Sequence, residues 1–260
     1  MIKNEQPIGV YDSGVGGLSV LCEARKRLPH ENFIYYGDSE NAPYGTKTED
    51  EIKELSLACG EFLFRKGVKM IVIACNTATS IVVQTMRERY NIPIISIEPA
   101  VKPALEGSRN GKIIVLATPA TLHQKRYQSL LERLGAQDAT INVECASLAN
   151  LIEKGDLDDP HIKAYIHDKL VAYRGQQIEG IVIGCTHYSF VADKIRDIAS
   201  KIFPSFGDIY DGRYGTARHI ARVLANENLL HGCNAGGRVE LFTSGKDDSL
   251  AVYRHFLSLL

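Results

Sequence analysis

Ile71-Val72-Ile73-Ala74-Cys75-Asn76-Thr77 and Ile181-Val182-Ile183-Gly184-Cys185-Thr186-His187 are nearly the same seven residues written twice. Each is a β-branched apolar run that stops at a thiol and continues into small polar side chains. A short, continuous apolar run suits a strand buried on both faces, as in parallel sheets. In an open parallel sheet, ligands sit beyond the carboxyl ends of the strands. Two such strands bring one thiol from each half of the chain to a strand tip. That pairing suits a reaction needing one acid and one base on opposite faces of a carbon.

Outward from the first thiol, strand-like and helix-like segments alternate. Residues 7–11 read as a strand ending at Asp12-Ser13-Gly14-Val15-Gly16-Gly17. Leu18, Leu21, Cys22 and Leu28 follow at helical spacing, then a strand at 33–36 and a loop over 37–46. Thr48 and Glu51 form a capping box, and Ile52, Leu55, Cys59 and Phe62 the apolar stripe of a helix that Gly67 ends. Strands are expected at 70–74 and 92–97.

The rhythm then restarts. A strand at 112–117 ends at Thr118-Pro119-Ala120-Thr121, and Leu130, Leu131 and Leu134 face inward on a helix stopped by Gly135. Residues 141–145 and 181–184 read as strands, and 147–154, 160–174 and about 190–202 as helices. The interval from Asp12 to Cys75 nearly equals that from Thr118 to Cys185. The fold expected is α/β: two pseudosymmetric parallel-sheet α/β domains facing each other across a cleft. The first comprises 1–98 plus about 211–260, on the Cys75 side. The second comprises 99–210, on the Cys185 side, with the link near Glu98-Pro99-Ala100. A strand at 239–243 and a helical tail from Ser249 are expected to cross back to the first.

At 260 residues there is room for two medium domains, and 45% hydrophobic with 23% charged residues is ordinary for a globular chain. The net charge of −1 gives no electrostatic reason to expect nucleic acid or an anionic membrane as partner. No run approaches the roughly 18 apolar residues of a membrane span. The opening Met1-Ile2-Lys3-Asn4-Glu5-Gln6 lacks the apolar stretch of a signal peptide, so a cytoplasmic address is expected. Six cysteines without close pairing are expected as free thiols. Cys22, Cys59, Cys145 and Cys233 read as small hydrophobes.

Cys75 and Cys185 remain. A thiol where a helix begins meets free backbone N–H groups, which favour thiolate. His187 is placed to exchange a proton with Cys185, and Asp12 to do the same for Cys75. A carboxylate raises a neighbouring thiol's pKa and an imidazolium lowers it, so the two thiols are expected in different protonation states. Asn76, Thr77 and Thr186 suit a carboxylate ligand. A redox pair lacks the C-x-x-C spacing, zinc lacks a set of about four ligands, and a Cys185–His187 nucleophile leaves Cys75 without a role. The first loop matches neither G-x-G-x-x-G nor a Walker motif, which favours a carboxylate or ammonium ligand over a dinucleotide. Pro43-Tyr44-Gly45 permits close backbone approach to such a ligand.

These motifs, in this order, resemble the bacterial glutamate racemases: Asp12-Ser13-Gly14-Val15-Gly16-Gly17-Leu18, Gly37-Asp38-Ser39 with Pro43-Tyr44-Gly45, Ala74-Cys75-Asn76-Thr77-Ala78-Thr79, and Gly184-Cys185-Thr186-His187-Tyr188. The resemblance runs from about Ile8 to Phe242-Thr243-Ser244-Gly245. It implies interconversion of L- and D-glutamate without cofactor or metal, feeding peptidoglycan synthesis, in a cytoplasmic homodimer. By motif it makes Cys75 and Cys185 the acid–base pair, aided by Asp12 and His187, with Glu153 a possible helper. Ser13, Asn76, Thr77, Thr118, Thr121 and Thr186 then hold substrate, with Pro43, Tyr44 and Gly45 closing the pocket. An aspartate racemase or related isomerase, or a binding protein for an acidic metabolite, is the alternative. Ser189 stands where the family usually has proline, Asn41-Ala42 where Arg and a small apolar residue are frequent, and Thr118-Pro119 where Gly-Thr is more usual.

Overall fold

A computed structural model describes residues 3–232, 236–246 and 248–259. Among them the strands are β1 (Ile8–Asp12), β2 (Phe33–Gly37), β3 (Met70–Ile73), β4 (Ile94–Ser96), β5 (Lys112–Ala117), β6 (Thr140–Glu144), β7 (Ile178–Ile183), β8 (Asp208–Asp211) and β9 (Val239–Thr243). The helices of the first half are α1 (Leu18–Arg27), α2 (Glu49–Arg65), α3 (Asn76–Arg89) and α4 (Val101–Gly107). Those of the second half are α5 (Pro119–His123), α6 (Lys125–Leu134), α7 (Leu148–Glu153), α8 (Pro160–Val171) and α9 (Ala192–Ile202). The chain closes with α10 (Gly212–Asn226) and α11 (Asp248–Ser258).

Two parallel sheets result. The first has the order β4-β3-β1-β2-β9 and the second β6-β5-β7-β8. Read in reverse, the second is β8-β7-β5-β6, the order of the first with each strand advanced by four. The internal repeat is therefore one of topology as well as of sequence, and β9 is the one addition, paired to β2.

Alternation explains the burial. Val10 and Val72 share an apolar cluster with Leu18, Leu116, Ile181, Ile195 and Ile220, a core continuous between the two sheets. Tyr11, Ile71 and Ile73 point the other way, onto Ile52, Leu63, Val82 and Met86 of α2 and α3. Ile113, Val115 and Val182 pack on the outer face of the second sheet with Leu122, Leu130 and Leu131. Both sheets are thus covered on both faces, which is why their strands read as unbroken apolar runs.

The expected caps form. Thr48 Oγ1 accepts from Glu51 N at 3.4 Å while Glu51 Oε2 accepts from Thr48 N at 2.8 Å. Gly135 ends α6 at φ +60°, a left-handed conformation costly for any residue with a Cβ. Some boundaries move. The thiol-bearing strand of the second half starts earlier, at Ile178, and the helix expected from about 190 begins at Ala192 after a 3-10 turn over Thr186–Val191. The pattern reading did not identify β8 and α10. Cys22, Cys59 and Cys145 are buried as expected, and Cys233 lies outside the described residues. No described helix is long and apolar enough to cross a membrane.

At the end of the first sheet opposite the thiol, Lys69 Nζ meets Glu31 Oε2 at 2.5 Å, both side chains buried, and donates to the carbonyls of Asn4 (2.7 Å) and Leu229 (2.8 Å). This buried pair ties the first strand's approach to the loop after α10.

Candidate active site

Strand register brings the first group of residues together. Ala74 N donates to Tyr11 O at 2.9 Å, so Asp12 and Cys75 leave adjacent strands at the same level. In the second sheet Gly184 N donates to Leu116 O at 2.8 Å, so Ala117 takes the position equivalent to Asp12 and Thr118 that of Ser13.

On the first wall, Asp12 Oδ1 accepts from Gly14 N at 3.0 Å, and Ser13 Oγ lies 3.4 Å from the same oxygen. The Cys75 thiol is directed to Ser13 Oγ at 3.7 Å and caps α3 by accepting from Ala78 N at 3.4 Å. Burial pushes this thiol up to about 12, and the Asp12 carboxylate adds to the rise. The helix N–H opposes that rise but does not overcome it. The expectation that the helix start would favour thiolate therefore fails at Cys75: stripping water from a sulfur only 5 % exposed outweighs a single amide donor.

The second wall is charged differently. Cys185, 7 % exposed, has its Sγ 3.8 Å from His187 Nδ1, and His187 Nε2 is 2.6 Å from Glu153 Oε2. Burial alone would strip the proton from His187. Its bonds to Cys185 and Glu153 and their negative charge win, holding the imidazole pKa well above its ordinary value. The imidazolium stabilises negative charge as it develops on the adjacent sulfur. Burial raises the Asp12 carboxyl, opposed by His187, the Gly14 amide and the Thr186 hydroxyl.

The walls touch. Thr186 Oγ1 donates to Asp12 Oδ2 at 2.9 Å, and Val15 N donates to Glu153 Oε2 at 3.2 Å. The first loop's amides thus meet protein carboxylates. Gly14 and Gly16 allow this approach, since a Cβ on them would lie 2.4 Å from Glu153 Oε1 and 2.5 Å from His187 Nδ1. Beside the thiols, the hydroxyls of Thr77, Thr118 and Thr121 stand 3.0–3.2 Å from one another. Asn76 Oδ1 is buried with no hydrogen-bond partner, an acceptor open to an ammonium group. Tyr44 is buried and donates to Asp38 Oδ2 at 2.5 Å. Half-buried Pro43 leads into it, and Gly45 sits against Thr118, where a Cβ would lie 2.7 Å from its Cγ2.

Contacts thus link Asp12, Ser13, Cys75, Thr186, Cys185, His187 and Glu153 across the lobes, while Thr77, Thr118, Thr121 and Gly45 form a second contacting set. Glu153, singled out only as a helper, is in direct contact with His187. Missing from the expectation were Ser19, whose hydroxyl reaches Thr186 O at 3.4 Å, and Ser39 and Tyr253 behind Glu153. Ser39 stood next to Asp38 in a quoted motif, but Tyr253 carried no local signal. Ser189, at the usual proline position, donates to Asp211 Oδ2 at 2.7 Å, and Asp211 Oδ1 caps α10 through Arg213 N at 2.9 Å. Among the described residues no group of three or more His, Cys, Asp or Glu is arranged to hold a metal ion.

Two like α/β lobes that meet at thiol-bearing strand tips are the architecture of a racemase. The chain belongs to the Asp/Glu/Hydantoin racemase family, which it matches over residues 18–203. It is 45% identical over 250 residues to a glutamate racemase of Clostridium botulinum (strain Langeland), covering 96% of each chain. Its fold superposes with a TM-score of 0.87 on the glutamate racemase isoform RacE1 of Bacillus anthracis, at 28% identity over 98% of this chain and 95% of that one. With a Francisella tularensis glutamate racemase solved in complex with D-glutamate the TM-score is 0.84, at 26% identity over 98% of this chain and 94% of that one.

Proposed function

We propose that this protein is a glutamate racemase that inverts the α-carbon with two thiols and no cofactor, and so supplies D-glutamate for peptidoglycan. The observation that carries the reading is the unequal environment of two equivalent thiols. Cys75 is held protonated by burial and Asp12, while Cys185 faces a cationic His187. In one direction the Cys185 sulfur, as thiolate, takes the α-proton and forms an S–H bond. The electron pair left on carbon delocalises into the carboxylate. Cys75 then gives its proton to the opposite face and is left as thiolate. The reverse direction exchanges the roles, so atoms and charge balance over the cycle.

The α-proton is a weak acid, so the enolate-like charge needs hydrogen-bond donors aimed at it in a dry site. Thr77, Thr118 and Thr121 supply hydroxyls for one carboxylate, and Ser13 and Thr186 flank the reacting carbon. Asn76 Oδ1 suits the ammonium group, and Tyr44 with Gly45 covers the pocket. Asp12 restrains Cys75, while Glu153 acts through His187. The expected division into a Cys75 lobe and a Cys185 lobe is supported by the membership of the two sheets, β1–β4 with β9 in one and β5–β8 in the other. The same reading expects a homodimer working in the cytoplasm on a small acidic metabolite.

Circular dichroism of L- and of D-glutamate, with enzyme alone in deuterated water, tests this. Loss of optical activity from either enantiomer with deuterium entering the α-carbon is expected. Binding without α-exchange would overturn the enzymatic reading, and faster turnover of aspartate would overturn the substrate.

A further inference from the structure

With Cys185, Glu153 holds the charge of His187, yet its own side chain is about a fifth exposed and lies on the short helix α7. Something must hold it. One oxygen, Oε2, is shared between His187 Nε2 and Val15 N. The other, Oε1, faces the Ser39 hydroxyl at 3.5 Å, the long end of the hydrogen-bond range. Ser39 is itself held, with Oγ 2.7 Å from the hydroxyl of Tyr253 on α11. Tyr253 is fully buried, its ring edge-on to Tyr35 at 5.6 Å between centroids, and its hydroxyl lies 3.2 Å from Thr243 Oγ1. Tyr35 in turn donates to Gly14 O at 2.5 Å, bracing the loop that presents Val15 N.

A phenylalanine would fill the Tyr253 ring site. Burying a hydroxyl instead costs free energy unless it is bonded. Of its two contacts, the shorter runs through Ser39 toward Glu153 and the other goes to Thr243, and β2 ends in a glycine whose Cβ would lie 1.9 Å from that hydroxyl. Of this network, Tyr253 and Thr243 lie beyond the stretch matched to the family, which ends at residue 203, while Tyr35, Ser39 and Glu153 lie within it.

We propose that Ser39 and Tyr253 are positioning residues: the closing helix α11, through Tyr253 and then Ser39, sets the Glu153 carboxylate against His187, so that meeting of the lobes completes the proton-transfer site on the Cys185 wall. The inference deepens the racemase reading and rests on it for its kinetic consequence. Three ionisable groups face the imidazole: Cys185 on its own segment, Glu153 from α7 and Asp12 from β1. Of these, only Glu153 has its second oxygen set by a side chain that α11 holds.

The test uses Tyr253→Phe and Ser39→Ala in the full chain, with Ser39→Thr as the conservative variant. The His187 imidazole is followed by 15N NMR against pH, assigned by its loss in His187→Gln. In both disrupting variants the His187 titration midpoint should fall by about half a pH unit or more, and Ser39→Thr should restore it. Turnover of glutamate should fall about three- to tenfold at pH 8 with KM little changed, and the alkaline edge of the rate profile should move down with the NMR midpoint. Unchanged His187 titration in both folded variants overturns the proposal, whatever their rates. A wild-type chain that shows the His187 shift but does not racemise glutamate would instead overturn the functional reading and leave this one standing.

Discussion

Thr186 Oγ1 and Asp12 Oδ2, 2.9 Å apart, join the tip of the second thiol strand to the tip of the first sheet's central strand. Both side chains are buried, and 174 residues of chain separate them. Through this bond the two walls form one hydrogen-bonded surface. From Cys75 it runs by Ser13 and Asp12 to Thr186, whose neighbours are Cys185 and His187.

Thr186→Val keeps the shape and deletes that bond. Asp12 keeps Gly14 N but loses its cross-cleft donor, so urea denaturation should show a loss of about 1–3 kcal/mol. Turnover measured by circular dichroism should fall at least about tenfold, because the donor also orders the Cys185 segment. Wild-type rates in this variant would detach the contact from catalysis.

Changing either thiol to serine should remove racemisation to about 10³-fold below wild type or less, since a hydroxyl is a far weaker base at neutral pH. Deuterium exchange then separates the two sites. A variant keeping one thiol can at most wash out the α-proton of one enantiomer without inverting it. Full racemisation by either single variant would refute the two-thiol scheme.

The pH dependence follows from the His187 shift. Its folded-state pKa is raised, so the stability its charge contributes is complete below about pH 6.5 and is lost as pH rises through the folded value. Glu153→Gln weakens that hold. The stability gap between wild type and this variant should therefore be widest near pH 6 and close at alkaline pH, with the alkaline edge of kcat/KM shifted downward. Urea midpoints across pH measure the first, initial rates the second.

Gly16→Ala places a Cβ 2.5 Å from His187 Nδ1 and from Thr186 Oγ1. The lobes must then part. Helical content by circular dichroism should stay normal while kcat/KM drops about a hundredfold or more. Small-angle scattering should show no contraction when glutamate is added.

Lys69→Met addresses stability away from the site. It strands Glu31 as a buried, unpaired charge, so unfolding free energy should fall by about 3–5 kcal/mol. Activity per folded molecule should hold, because the pair lies at the opposite end of the first sheet. Equal stability of variant and wild type would show that the pair contributes nothing net.

The sequence by itself determined the α/β repeat, the strand tips and the two thiols, because hydrophobic periodicity, caps and residue type are local properties. The second thiol strand and the capping box at Thr48 were legible for that reason. The short strand Asp208–Asp211 was hidden by its acidic ends, and the helix after it by two glycines in its first turn, although Ala217, Ile220 and Leu224 carried the helical spacing. Tertiary structure alone decided the charges. Cys75 stays protonated because folding removes its water and sets Asp12 beside it, and His187 stays charged because Cys185 and, from another helix, Glu153 both bond it. The Cys185–His187 pair was legible from its spacing, but burial and the partners that come from distant segments are not written in the residues that flank a titrating group.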